Sequence, residues 1–159
     1  MKKILFVTFP VVLILLLLIV FFIIQLFSNV FENPVIASLP KYESSDGYYS
    51  DGLQDFTNYC KYYFSEDDFI IKQIKENRYL KKVTDNDVEE VKSYFENFKD
   101  WVEFEEYKDQ YDFRDECIDT EDYFYIENDK TSEERKYWDY DVYFFDVQTK
   151  TLYFIHSNI

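Results

Sequence analysis

Glycine is nearly absent from this chain of 159 residues, which contains only Gly47 and Gly52. Loops that cradle phosphate need glycines, because only a missing side chain lets backbone N–H groups approach the anion closely. Both glycines come before residue 53, where we predict that the folded domain begins. Nucleotide binding of the Rossmann or P-loop kind is therefore excluded, and we expect no cofactor.

Histidine occurs once, as His156. A nucleophilic serine or cysteine needs a neighbouring base, which is most often histidine, and the chain has no Gly-x-Ser-x-Gly turn to present a serine. With 32 acidic residues, carboxylate pairs such as glycosidases use arise by chance, and no spacing selects one pair. The sequence predicts no enzyme and no catalytic residue, with His156 as a structural histidine of a strand.

Cysteine is also scarce, with Cys60 and Cys117 alone. Neither lies in a CxxC redox motif or at a zinc-ligand spacing. The acidic runs at residues 66–68 and 85–87 lack the glycine and the final glutamate of a calcium loop, so we predict no metal site. One disulfide between Cys60 and Cys117 and two buried thiols both fit the sequence. A disulfide is chemically allowed because the part of the chain that holds both cysteines is predicted, as argued below, to lie outside the cytoplasm.

Basic residues are in the minority, with 17 Lys and Arg against 32 Asp and Glu. Residues 28–159 contain every acidic residue and all the basic residues except Lys2 and Lys3, so their net charge is −17. A surface of this charge repels nucleic acid and anionic lipid heads and attracts cationic partners. Nucleic acid is thus excluded as a partner.

Charge is missing altogether from residues 4–27, an apolar run interrupted only by Thr8, Pro10 and Gln25. As a helix this run is roughly 36 Å long, enough to cross a hydrocarbon core of about 30 Å. Its length favours an uncleaved single-pass anchor in the cell membrane over a removed secretory signal. Lys2 and Lys3 place residues 1–3 in the cytoplasm by the positive-inside bias, so the rest of the chain is extracytoplasmic.

Prolines and glycines mark the segment that follows. Residues 28–52 contain Pro34, Pro40 and both glycines, together with serines and an aspartate. This mixture resists helix and sheet alike, and we predict a flexible stalk there. An acidic extracytoplasmic domain then occupies residues 53–159, a length that suits one core.

Aromatic residues are too frequent in this domain for disorder. The clearest predicted element is an amphipathic helix over residues 85–104, begun by Thr84 with Asp87 as its capping-box partner. Apolar residues recur along it at helical spacing. They are Val88, Val91, Phe95, Phe98 and Val102.

Strands are predicted at residues 122–127, 140–146 and 151–156 from their Tyr, Phe, Val and Ile content. The last two are joined by a loop of about four residues. Residues 69–74 predict a short helix, and the aromatic run 55–64 has an ambiguous period for which we prefer a helix. Together these elements predict an α+β fold in which the long helix packs on an antiparallel sheet of three or more strands.

Consecutive tyrosines and phenylalanines in the strands suggest a binding surface. Neighbours along a strand point to opposite faces of the sheet, so some rings lie off the core. Tyrosine is favoured in interfaces because it buries a large area at low entropy cost. The candidate interaction face consists of Tyr62, Tyr63, Tyr125, Tyr140 and Tyr143.

Five aromatic-rich stretches stand out in the predicted domain. They are DFTNY (55–59), YFENF (94–98), DYFYI (122–126), YDVYFFD (140–146) and LYFIHSNI (152–159). They resemble a group of uncharacterised bacterial single-pass membrane-anchored proteins with an extracytoplasmic domain. The resemblance covers the exported domain and implies no assigned activity, so it assigns no functional residue.

The leading functional hypothesis is a non-enzymatic, membrane-tethered module of the cell envelope. It binds another envelope or extracellular protein through an acidic, tyrosine-rich face. One alternative is an immunity factor that neutralises a basic toxin, an association that complementary charge accelerates. Another is an envelope hydrolase that uses carboxylates.

Overall fold

The chain divides into two compact units, residues 1–38 and 39–159. The computed structural model describes residues 33–50, 56–128 and 136–158 of them. The predicted cytoplasmic residues and membrane span at 1–27 lie outside the described residues. Within the described ranges, no helix is both long enough and apolar enough to cross a membrane.

The described part of the first unit is one helical turn, α1 (Pro34–Ala37). Asn33 caps this turn, since its side-chain oxygen accepts hydrogen bonds from the N–H groups of Val35 at 3.0 Å and Ile36 at 3.3 Å. Pro34 suits the first helical position, where no N–H is needed.

The second unit is an α+β domain built on a six-stranded sheet, which confirms the predicted fold class of this part of the chain. Neighbouring strands are all antiparallel, in the spatial order β1-β2-β6-β5-β4-β3. The strands are β1 (Ser44–Tyr49), β2 (Phe56–Tyr63), β3 (Lys81–Lys82), β4 (Tyr123–Asn128), β5 (Asp139–Asp146) and β6 (Thr151–Asn158). The final strand β6 thus lies between β2 and β5 at the centre of the sheet.

Two helices accompany the sheet, α2 (Asp68–Lys75) and α3 (Asp85–Val102). Both confirm the sequence predictions, and α3 ends two residues earlier than expected. It begins where Thr84 donates to the Asp87 carboxylate from its N–H at 3.0 Å and from its hydroxyl at 2.5 Å. This is the predicted capping partnership, and it satisfies an otherwise free backbone donor at the helix start.

Rings fill the space between α3 and one face of the sheet, which we call the inner face. The Phe95 ring on α3 stacks on Phe113 with centroids 3.7 Å apart and meets Phe144 of β5 edge-on at 6.1 Å. The Tyr140 hydroxyl donates to the Tyr94 carbonyl at 3.4 Å. The core cluster comprises Tyr59, Val83, Val91, Tyr94, Phe95, Phe98, Val102, Tyr107, Phe113, Ile118, Phe124, Tyr140, Val142, Phe144 and Ile155.

The connector at residues 103–122 closes the inner face beside α3, with two 3-10 turns at Lys108–Gln110 and Asp115–Cys117. Its Asp112 accepts hydrogen bonds from the Tyr59 hydroxyl at 2.7 Å and from the buried Lys61 ammonium at 2.8 Å, both on β2. Burial acts to raise the pKa of Asp112, but these two donors hold it below its ordinary value. Because Lys61 and Asp112 form an ion pair, the lysine is buried under the connector without an unpaired charge.

The hairpin between β5 and β6 is a four-residue loop, as predicted, and it is made without glycine. The Asp146 carboxylate accepts hydrogen bonds from the N–H groups of Gln148 at 2.7 Å and Thr149 at 3.0 Å. Lys150 then takes the left-handed conformation, with φ of 57°. Side-chain capping by aspartate thus replaces the glycine of a typical tight turn.

The preference for a helix at residues 55–64 was wrong, because Phe56–Tyr63 forms strand β2. It pairs along its whole length with β1 on one side and β6 on the other. Alternate residues then serve opposite faces, with Tyr59 and Lys61 on the inner face and Cys60 and Tyr62 on the other. Aromatic residues lie on both faces of this strand, Tyr59 and Tyr63 on one and Phe56 and Tyr62 on the other. Such a distribution suits a strand covered on both faces better than an amphipathic helix.

The expectation that residues 28–52 resist regular structure was also wrong for two stretches, Pro34–Ala37 and Ser44–Tyr49. Strand β1 forms because β2 offers a complete partner and because Tyr48 stacks on Tyr59 at 6.2 Å and on Tyr107 at 6.1 Å. At Gly47 a Cβ would lie 2.7 Å from the Tyr49 hydroxyl, so a larger residue there requires the exposed Tyr49 side chain to move. Residues 28–32 and 51–52 of the predicted stalk lie outside the described residues.

Replacing Phe95 by alanine tests the core. Phe95 is fully buried, so Phe95→Ala removes both ring contacts and leaves a cavity, which lowers the free energy of unfolding by about 3–5 kcal/mol. The matched control is Phe104→Ala, whose ring is 87% exposed, and it shifts stability by less than about 0.5 kcal/mol. Urea unfolding of the full-length chain measures both, and equal losses would contradict the assigned core.

A buried carboxylate, Asp122, ties the start of β4 to the β5–β6 hairpin. It accepts hydrogen bonds from the N–H groups of Val147 and Asp119, both at 2.9 Å, and is 2% exposed. Burial raises its pKa from 3.8 to about 6, and the nearby charges of Asp119 and Asp146 act in the same direction. The folded protein therefore holds this proton more tightly than the unfolded chain does.

The stabilisation from this proton is complete below about pH 4 and is lost as the pH rises to about 6. At about 1.4 kcal/mol per pKa unit, the loss for wild type approaches about 3 kcal/mol. Asp122→Asn removes the titration, so its unfolding free energy falls less steeply over that interval, whereas the exposed Asp109→Asn keeps the wild-type slope. Urea unfolding at several pH values measures this, and an unchanged slope in Asp122→Asn would contradict the assignment.

Candidate functional site

The face of the sheet opposite α3, which we call the outer face, changes from apolar to acidic along its strands. Strand register places residues on this face in rows that run across the sheet. One row holds Tyr125, Tyr143, Phe154 and Cys60, with the Tyr143 ring 4.9 Å from Phe154 and 5.9 Å from Tyr125. The next row, one step toward the β4–β5 turn, is polar.

That next row contains Glu127, Asp141 and His156, and together with Asp139 we call these residues the acidic row. Register sets Glu127 of β4 opposite Asp141 of β5, and Asp141 opposite His156 of β6. Asp139 lies two residues from Asp141 on the same face of β5. These four side chains, with Asn128 and Tyr140, line a cavity of about 410 Å³.

His156 is held in one orientation by its neighbours. Its Nδ1 lies 2.6 Å from Asp141 Oδ1, and the Tyr143 hydroxyl donates to Asp141 Oδ2 at 3.2 Å. Because a carboxylate only accepts hydrogen bonds, Nδ1 carries the proton. Nε2 is buried without a hydrogen-bond partner in the described part of the chain, and the ring packs on Phe56 at 4.8 Å.

The acidic row places like charges directly opposite each other. Cross-strand pairs of like charge destabilise a sheet, and in the described ranges neither Glu127 nor Asp139 forms an ion pair. The described residues also hold no group of three acidic, histidine or cysteine side chains arranged for a metal ion. What the arrangement suits chemically is an organic cation such as an ammonium or guanidinium group.

Catalysis by a thiol with His156 finds no support in the geometry. Cys60 and Cys117 are both free, and within the described residues neither bonds to His156. The Cys60 thiol donates to the Tyr49 hydroxyl at 3.5 Å, and burial raises its pKa. Burial likewise raises the pKa of Cys117 to about 12. Reactive thiols need a lowered pKa, so both behave as unreactive groups.

The two cysteines also lie on opposite sides of the sheet. Cys60 is on the outer face of β2, whereas Cys117 packs against the core cluster under the inner face. Of the two alternatives left open by the sequence, the structure has thiols rather than a disulfide, with Cys60 buried and Cys117 half-buried.

The five tyrosines of the predicted interaction face are not brought together. Tyr62, Tyr125 and Tyr143 belong to the outer face, while Tyr63 and Tyr140 belong to the inner face. Tyr140 is 1% exposed and Tyr143 is fully buried, so neither offers a ring to a partner. Tyr63 donates its hydroxyl to Asp46 at 2.8 Å instead.

Sequence reasoning missed the acidic row because its members come from three strands. Glu127, Asp139 and Asp141 looked like ordinary solvated acids, and only strand register sets them side by side. The available signal was the pattern Asp139-Tyr140-Asp141, two acids on one strand face, next to a predicted hairpin that ends in the single histidine.

No protein-family model matches this chain, and neither a curated protein nor a solved structure matches it. The resemblance to uncharacterised membrane-anchored proteins therefore stays a prediction.

A double-mutant cycle on Asp141 and His156 tests whether this pair is coupled. Asp141→Ala and His156→Ala each lose the shared hydrogen bond, so their combined effect on the unfolding free energy falls short of the sum by about 1–2 kcal/mol. The solvent-exposed pair Lys82–Glu121, at 3.1 Å, serves as the comparison and couples by less than about 1 kcal/mol. Urea unfolding gives all the values, and additive losses at Asp141 and His156 would contradict the pairing.

Proposed function

We propose that this protein is a non-enzymatic binding module, tethered to the cell membrane with its domain outside the cytoplasm. Its acidic row binds a lysine- or arginine-rich segment of another envelope or extracellular protein. The observation that carries the proposal is the pair Glu127 and Asp141, opposite each other on adjacent strands, with Asp139 beside them. In the described part of the chain, no lysine or arginine forms an ion pair with any of these three carboxylates.

The destabilising arrangement of the acidic row supports a ligand role. A sheet selected for stability alone gains by placing a lysine or a neutral residue opposite Asp141. Binding sites commonly keep such costly groups because the partner supplies the missing charge. A cationic side chain entering the cavity would neutralise Glu127 and Asp139 and restore favourable pairing.

The fixed neighbours of the row favour a specific contact over diffuse attraction. Asp141 is held by His156 at 2.6 Å and by Tyr143 at 3.2 Å, so its carboxylate is already oriented when a ligand arrives. Glu127 and Asp139 are more exposed and remain able to adjust. Preorganised acceptors reduce the entropy cost of binding.

The charge of the whole chain supports the same class of partner. A net charge of −15 accelerates the encounter with a basic protein and makes that rate depend on salt. A basic toxin is one partner that fits, which keeps an immunity factor within this proposal. The tether rests on the uncharged residues 4–27 preceded by Lys2 and Lys3.

Neutralising the row tests the proposal. Glu127→Gln with Asp139→Asn weakens the binding of an oligolysine peptide to the full-length chain by about tenfold or more, because the two flexible carboxylates are lost. The same variant gains roughly 0.5 kcal/mol in unfolding free energy, since the like-charge opposition is relieved. Titration calorimetry at low and high salt measures affinity, and urea unfolding measures stability.

The control removes the same charge elsewhere. Glu66→Gln with Asp109→Asn alters two exposed carboxylates on other parts of the domain and leaves the oligolysine affinity within about twofold. If both double variants weaken binding equally, attraction is only diffuse and the acidic row is not the site. Cross-linking in native membranes then shows whether a natural partner depends on Glu127 and Asp139 in the same way.

A further inference from the structure

Two aromatic residues three positions apart at the end of α3 are exposed. Phe104 is 87% exposed and Trp101 is 40% exposed. The other large exposed hydrophobic residues of the described ranges are separated from one another along the chain by more than one helical turn. Within those ranges neither ring contacts another ring or a cation, so the pair is not part of the core.

The local backbone keeps the two rings on one side. The Phe104 N–H donates to the Trp101 carbonyl at 3.0 Å and the Glu105 N–H donates to Val102 at 2.9 Å, which continues the helical path past the last residue of α3. Residues three positions apart on such a path are neighbours on its surface. Trp101 and Phe104 therefore form one apolar patch, which we call the aromatic patch.

Most charged residues next to this patch in the sequence are acidic. Asp100, Glu103 and Glu106 are exposed, with Lys99 the one base in the same stretch. An aromatic centre inside a charged rim is the arrangement of protein interfaces, in which buried Trp and Phe carry most of the affinity. The charge of the rim selects the partner. Burying the carboxylates removes their hydration, and only a basic rim on the partner compensates for that loss.

We propose that the aromatic patch is a second docking surface, which inserts Trp101 and Phe104 into an apolar pocket rimmed by lysine or arginine on a partner protein. It lies at the end of α3, on elements different from those of the acidic row, and does not depend on the function proposed for that row. Its carboxylates repel an anionic membrane and a second acidic copy of this chain, which leaves a basic protein surface as the occupant.

The test uses Trp101 as its own reporter. In the full-length chain with Trp138→Phe, kept in a non-ionic detergent, Trp101 is the single tryptophan. The probe is an amphipathic lysine–leucine peptide, and a lysine–serine peptide of equal length and charge supplies charge alone. We expect the first peptide to shift Trp101 emission to shorter wavelength and to protect it from acrylamide, and the second to do neither.

Substitution then locates the contact. Phe104→Ala weakens the lysine–leucine peptide by about tenfold or more, and the fold stays intact because this ring is exposed. Phe69→Ala, which removes another phenylalanine that is 64% exposed, changes the affinity by less than about twofold. Glu103→Gln with Glu106→Gln weakens binding at low salt and not at high salt.

Four results would overturn the proposal. They are equal affinities for wild type and Phe104→Ala, an emission shift with the lysine–serine peptide, a shift with anionic phosphatidylglycerol vesicles, and a concentration-dependent shift without peptide. The vesicle result would make the patch a lipid contact, and the last would make it a self-association surface. The Glu127→Gln with Asp139→Asn variant keeps the Trp101 shift, so a failure here and a failure of the acidic row are separately visible.

Discussion

The contact between rings across the inner face is the interaction on which the rest of the domain depends. Phe95, Phe113 and Phe144 come from α3, the connector and β5, and their rings meet at one point. This contact joins the helix, the connector and the sheet at the centre of the core cluster. A chain with so few small residues solves its packing with edge-on and stacked rings, which fill volume with well-defined geometry.

The two faces of the sheet differ in how their charged groups are paired. On the inner face the buried Lys61 is paired with Asp112. The outer face leaves Glu127 and Asp139 open beside a fixed Asp141 and His156. Because each strand contributes alternate residues to each face, the same strand β5 carries the buried Phe144 and the acidic Asp141. A change in its register by one residue would exchange the two roles.

Parts of this fold could be predicted from the sequence. The long periodic pattern of α3 and its Thr84–Asp87 start were sufficient, as were the Tyr- and Phe-rich strands β4, β5 and β6. Strand β1 could not be predicted, because Ser44 and Gly47 are turn formers whose strand depends on a partner distant in sequence. The helix preferred for β2 failed for a related reason, since its aromatic residues fall on both faces of the strand and hide the alternation that the sheet imposes. The acidic row depends on register between three strands, which no local pattern encodes.

Strand β1 has a further consequence. It lies at the edge of the sheet with neither proline nor lysine in Ser44–Tyr49, the residues with which proteins usually block such edges. In the described part of the chain nothing pairs with its far side. The net charge of −15 makes copies repel one another and so opposes the addition of another strand at this edge. Near the isoelectric point of about 4.4 this repulsion is lost, so low pH favours edge-to-edge association of the domain.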